Sequence, residues 1–211
     1  RLRLTGAGTP NSWAGPASAD AGAWLVRGPG RAALGGAARV LATTVGPYSR
    51  YGSEVVAACA RHGTHYCDLT GEVPWMRRMI DAHEATARAS GARIVHACGF
   101  DSIPSDLGVW FVQQTLHREH GVWCDQVKLR VAGASGGFSG GTAASLLAVA
   151  EEATRDAPTR RMLRDPYGLD PEGLAPGPDG PDPLVAFHDR DFDAWCAPFV
   201  MSAINTRVVR R

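Results

Sequence analysis

The sequence predicts an α/β fold, a parallel sheet covered by helices, and three observations carry that prediction. Between residues 39 and 111 a buried-strand pattern and an amphipathic-helix pattern alternate three times. Each apolar run stops at a glycine turn: Gly46-Pro47, Thr70-Gly71 and Gly99. The connections are short, so successive strands lie side by side with helices crossing between them.

Residues 39–45 (RVLATTV) form the first predicted strand. Residues 54–61 place Val55, Val56 and Cys59 on one helical face, and Gly63 supplies the left-handed residue that ends a helix. Residues 65–69 (HYCDL) are the second strand. Pro74 sits in the first turn of the next helix, where its missing N–H costs nothing. That helix groups Met76, Met79, Ile80, His83 and Ala87 on one side and closes at Gly91. Residues 93–98 (RIVHAC) are the third strand. A helix over 107–117 sets Leu107, Trp110, Phe111 and Gln114 at helical spacing, and Gly121 marks a boundary.

Farther on, residues 127–131 (VKLRV) alternate apolar and basic side chains, which predicts a half-exposed strand. A helix follows over 143–154, with Leu146, Leu147, Val149 and Ala150 as its apolar positions. Residues 165–183 hold six prolines among glycines and aspartates and read as a loop or linker. Residues 192–209 are apolar enough to pack again and read as strand-like. Residues 1–38 lack periodicity and form an irregular or divergent segment. The chain opens on Arg1 and reads as a piece of a longer protein.

Composition narrows the function. A hydrophobic content of 45% supports a buried core in a globular protein. The balance of 22 Lys plus Arg against 21 Asp plus Glu gives no basic face, which argues against a nucleic-acid partner. No apolar run reaches the roughly 18 residues of a membrane span, and no signal-peptide core is present. Peripheral membrane contact stays open. The five cysteines show no paired spacing and no CxxC, so they read as small buried hydrophobes in a reducing cytoplasm. The seven histidines are scattered and predict no metal site. His83 and His96 are read as packing residues.

Parallel sheets bind ligands beyond the carboxyl ends of their strands. The segments there are 44–48, 68–72 and 99–104, which bring glycine turns, several hydroxyls and the carboxylates of Asp68, Glu72 and Asp101 to one edge. Gly46-Pro47-Tyr48 is either a turn with a packed tyrosine or a place where a flat group approaches the backbone. Asp68 and Glu72 serve either acid–base chemistry or, for Glu72, a helix N-terminus. Ser102 either caps the next helix or orients a ligand with Asp101. The glycine-rich stretch 135–142 is a flexible loop or an anion cradle, and without a following Lys-Ser or Lys-Thr it is no P-loop.

Two long stretches of text, TTVGPYSRYGSEVVAACARHGTHYCDLTGE from Thr43 and GARIVHACGFDSIPSDLG from Gly91, resemble the saccharopine dehydrogenase-like oxidoreductases. SGGFSGGTAAS at 135–145 and NTRVVRR at 205–211 are most similar to the trans-acting enoyl reductase branch. The resemblance implies a partial Rossmann-like parallel sheet with helices over 39–120, followed over 121–211 by part of a second α/β domain. It implies NADPH or NADH as cofactor, with NADP favoured, and a small-molecule or lipid substrate such as a polyketide precursor. Thr43, Thr44, Gly46, Pro47, Asp68 and Gly99 would contact cofactor. Tyr48, Asp101 and Ser102 would surround the reacting centre, and Ser139, Gly140, Gly141 and Thr142 would form a substrate loop. No G-x-G-x-x-G opening precedes Thr43, so this piece alone is expected to be inactive. Saccharopine-type amino-acid chemistry, with Arg50 as carboxylate clamp, is the alternative. So is a catalytically silent, lipid-associated scaffold. The resemblance leaves homo-oligomerisation open.

Overall fold

In the computed structural model the residues described are 38–100, 102–133, 137, 139–171, 173–175 and 177–211. The three predicted apolar runs form β1 (Val40–Thr43), β2 (His65–Asp68) and β3 (Ile94–Val95). They make one parallel sheet in the order β1-β2-β3, with Leu41 beside Tyr66, Thr43 beside Asp68, and Tyr66 beside Ile94. The register puts Leu41, Tyr66 and Ile94 on one face, because side chains in a strand alternate.

Helices flank this sheet as the sequence predicts. After β1 come a one-turn helix, α1 (Tyr48–Tyr51), and α2 (Ser53–His62). Between β2 and β3 runs α3 (Val73–Ser90), and after β3 runs α4 (Ile103–His120). Gly63, Gly91 and Gly121 end α2, α3 and α4 with φ of 72°, 77° and 69°, a backbone that an L side chain adopts only under strain. The core joins Leu41 and Tyr66 of the sheet to Val56 and Cys59 of α2 and Trp75 and Met76 of α3. Each such side chain contributes about 1.5–3 kcal/mol by leaving water.

The later chain closes over this unit. Helix α5 (Gly140–Arg155) runs into α6 (Ala157–Arg164), a helix the sequence reading missed although Asp156-Ala157-Pro158 is a capping signal. A two-stranded antiparallel hairpin, β4 (Phe187–Asp189) and β5 (Ala194–Cys196), precedes α7 (Ser202–Arg210). Leu169, Met201 and Ile204 complete the core, and Ile204 lies so close to Gly71 that a Cβ there would meet its Cδ1 at 2.9 Å.

Two expectations are corrected. Residues 127–131 form no strand; Lys128 and Arg130 instead pair with Asp191 and Asp189 of the hairpin region, so side chains rather than a backbone ladder hold the segment. The strand-like reading of 192–209 holds only for β5. The remainder is mostly helix, because Met201, Ile204 and Val208 recur at helical spacing against the core. The expectation for residues 1–38 falls almost wholly outside the described residues.

Candidate functional site

Glu72 organises the carboxyl edge of the sheet. Its side chain is almost fully buried, which a carboxylate tolerates only when its oxygens are taken up by donors. Oε1 accepts from the Tyr48 N–H (2.7 Å) and the Ser145 hydroxyl (2.7 Å), and Oε2 accepts from the Ser49 N–H (2.9 Å). Glu72 therefore stabilises a helix N-terminus, but that of α1, not of its own helix. Through Ser145 it also ties the first turns of α5 to the turn at Gly46, where a Cβ would lie 2.9 Å from the Ser145 hydroxyl. The Gly46–Pro47 peptide within that turn is cis.

Tyr48 is buried between these groups. Its hydroxyl donates to the Thr43 carbonyl (3.2 Å) and accepts from the Leu69 N–H (3.2 Å), so it clasps the ends of β1 and β2 together. Burial pushes its phenol well above the usual tyrosine range, against the smaller opposing effect of the Leu69 N–H. The ring lies 5.5 Å from Trp75, whose indole N–H donates to Ser53 (3.0 Å).

Asp68 gathers donors in a similar way at the end of β2. Oδ1 accepts from the N–H groups of Thr70 (3.1 Å) and Ala97 (3.0 Å), and Oδ2 lies 2.6 Å from His96 Nδ1. That contact fixes the orientation of the His96 ring at the end of β2. Ala97 follows with φ of 57°, rare for a residue with a side chain, and Asp68 is what holds its N–H there. The sequence reading treated His96 as packing alone. Its partner lies 28 residues away, across two strands, and no local spacing announces it.

The remaining predicted residues separate. Thr43 accepts the Val45 N–H in its own turn (3.3 Å), and Thr44 is exposed beside it. Ser102 is buried and donates to Asn205 of α7 (3.2 Å), without a side-chain cap bond to α4. Asp101 lies outside the described residues, as do Ser135, Gly136 and Phe138 of the glycine-rich stretch. Ser139 caps α5 by accepting the Thr142 N–H (3.1 Å), and Gly140 and Gly141 form its exposed first turn. Arg50 lies 3.6 Å from Glu151.

The outer surface of the edge differs from its interior. Thr44, the half-exposed Leu69 and the exposed Phe100 follow β1, β2 and β3 in order, with the Gly99 backbone against Leu69. This donor set, one hydroxyl among apolar groups, fits the flat, uncharged end of a nicotinamide cofactor. It does not fit the diphosphate: the helix start after β1 has its N–H groups taken by Glu72, so that turn offers no phosphate cradle. Among the described residues no cluster of His, Cys, Asp and Glu could hold a metal ion, and no helix is long and apolar enough to cross a membrane.

The chain is similar to mycobacterial proteins. It is 46% identical over 185 residues to a Mycobacterium tuberculosis protein whose name assigns it provisionally as a trans-acting enoyl reductase. It is 41% identical over 187 residues to the trans-acting enoyl reductase of Mycobacterium leprae, and 40% over 193 residues to that of Mycobacterium bovis. Each match covers 85% of this chain and 44% of the relative, so the chain spans less than half the length of the curated relatives it matches. No family model matches the chain, and no solved structure does.

Proposed function

We propose that the chain is part of an NAD(P)H-dependent, trans-acting enoyl reductase that reduces the activated carbon–carbon double bond of a lipid or polyketide-derived precursor. The single observation that carries this reading is the 46% identity to a relative bearing that name, sustained over 85% of the chain. The parallel sheet supports it, since its carboxyl edge is where such a fold receives a cofactor.

A bound reduced nicotinamide supplies the hydride. The residues of this chain hold the platform on which it would rest. Leu69, Gly99 and Phe100 offer an apolar surface for a ring face and keep water from it, and the Thr44 hydroxyl offers a hydrogen bond to a carboxamide. Tyr48, Asp68 and Glu72 fix the turns that carry those groups. Orientation of this kind is what a protein contributes when the cofactor carries the chemistry.

The test uses a protein of the relatives' full length containing this segment, titrated with NADPH and followed by nicotinamide fluorescence. Saturable binding is expected, with NADPH oxidation on adding an α,β-unsaturated acyl thioester. Leu69→Asp places a charge against the ring face at a half-exposed position. It should weaken NADPH binding at least about tenfold, or ~1.4 kcal/mol, while leaving the fold intact. Absence of saturable NADPH binding by the parent would overturn the reading.

A further inference from the structure

Helix α5 buries none of its residues, so apolar packing does not explain its place beside the sheet edge. Its ion pairs to the first unit, Glu151 with Arg50 (3.6 Å) and Glu152 with Arg78 (2.5 Å), lie at the surface, where such pairs contribute little. Ser145, in the second turn, differs from these. Ser139 already caps the helix, and a serine in a helix interior is a poorer helix former than alanine, so the helix itself has no need of it. The Ser145 hydroxyl instead donates to the buried carboxylate of Glu72 (2.7 Å), a charge-assisted bond on the inner side of the edge.

That bond begins a continuous series of contacts. Glu72 Oε1, which takes the Ser145 hydroxyl, also takes the Tyr48 N–H (2.7 Å), and Oε2 takes the Ser49 N–H (2.9 Å). Tyr48 in turn spans both strand ends: its hydroxyl donates to the Thr43 carbonyl and accepts from the Leu69 N–H, each at 3.2 Å. Thr43 immediately precedes Thr44, so the series ends at the two residues that flank the exposed surface of the edge. Helix α5 also approaches the turn itself. Gly46 has no room for a Cβ, which would lie 2.9 Å from Ser145 Oγ.

We propose that Ser145 is a positioning residue for the nicotinamide: by holding Glu72 it sets the turn that presents Thr44 beside Leu69, and it touches neither cofactor nor substrate. The inference rests on the reductase reading, because the surface it positions is the one assigned there to the nicotinamide. A turn set in advance removes the ordering that the ring would otherwise impose on binding. The cofactor phosphates find no free N–H groups at this turn, since Glu72 takes them, so the effect belongs to the nicotinamide half.

The test titrates a protein of the relatives' full length, by calorimetry, with NADPH and with 2′-phospho-ADP-ribose, which lacks the nicotinamide ring. Ser145→Ala removes one hydroxyl and favours the helix, so the fold is retained. It should weaken NADPH at least about threefold, the order of one lost hydrogen bond, and leave 2′-phospho-ADP-ribose within about twofold. Ser145→Thr keeps the hydroxyl and should restore NADPH affinity to within about twofold of wild type. Glu151→Ala, which breaks the exposed pair with Arg50, should leave both ligands within about twofold. Unchanged NADPH affinity in Ser145→Ala, equal weakening of the two ligands, no recovery in Ser145→Thr, or the same loss in Glu151→Ala each overturns the proposal and leaves the reductase reading standing. Absence of saturable NADPH binding by the wild type overturns both.

Discussion

Helices α3 and α4 each run for 18 residues, carry a proline in the first turn and end on a left-handed glycine, yet they bury opposite amounts of their surface. Helix α3 buries Val73, Trp75, Met76 and Ala87 against the sheet and α2, and its apolar residues fall on one stripe. Helix α4 is apolar around most of its circumference and buries only Ser105. Leu107, Trp110 and Phe111, one helical face, are each more than half exposed, and α7 is its main neighbour. A helix with one apolar stripe is held by the core it faces, whereas a contiguous exposed stripe is the surface that contact sites present.

Removing one tryptophan from each helix gives the largest expected contrast. Trp75 is 1% exposed, packs on Tyr48 and His96, and donates to Ser53. Trp75→Ala should cost about 3–5 kcal/mol, enough to unfold a marginally stable domain. Trp110 is 60% exposed, and Trp110→Ala should change stability by no more than ~0.5 kcal/mol. Urea denaturation followed by far-UV circular dichroism measures both. Equal losses would mean that α4 is packed as α3 is, and the comparison would break.

Glycine substitutions should separate the two regions by sign. Gly52 precedes α2 where the chain presses on α3: a Cβ would meet Trp75 Cζ2 at 2.7 Å and the Tyr48 carbonyl at 2.9 Å. Gly52→Ala should therefore destabilise by about 1–3 kcal/mol through overpacking. Gly108 lies inside α4, and a Cβ there meets nothing within 4 Å. Gly108→Ala should stabilise by about 0.4–1 kcal/mol, because alanine loses less chain entropy in a helix. Shifts in the urea midpoint of opposite sign are the expected result.

The same division explains what the sequence disclosed. Strands 39–45, 65–69 and 93–98 were legible because each is an apolar run stopped by a glycine turn, and the stripe of α3 was legible from its spacing. The alternation at 127–131 misled because Lys128 and Arg130 answer aspartates far along the chain, and no periodicity distinguishes such a partner from a neighbouring strand. Helix α7 was hidden by aromatic, β-branched text around it, although Met201, Ile204 and Val208 already carried helical spacing. Within the candidate site, the sequence placed Tyr48, Asp68 and Glu72 at the right edge. It gave no sign that Glu72 caps α1 from 24 residues away, or that Asp68 fixes His96, since both pairings exist only once the strands are aligned.

A pH dependence also belongs to the region that α3 covers. Cys59 of α2 is 3% exposed, and burial pushes its thiol up to about 11, from an ordinary value near 9. Below pH 9 the thiol is neutral in both folded and unfolded chains, and its full contribution to stability is present. Between about pH 9 and pH 11 the unfolded chain loses the proton while the folded one keeps it, so stability falls with rising pH across that window. Burial raises Tyr48 and Tyr66 too, which extends the decline above pH 10. Cys59→Ala should therefore reduce the decline in the urea midpoint at its onset and leave the portions due to the tyrosines and to Cys67 and Cys98, whose thiols burial also raises. An unchanged profile in Cys59→Ala would show that the sheet and α2 do not exclude water as tightly as their packing requires.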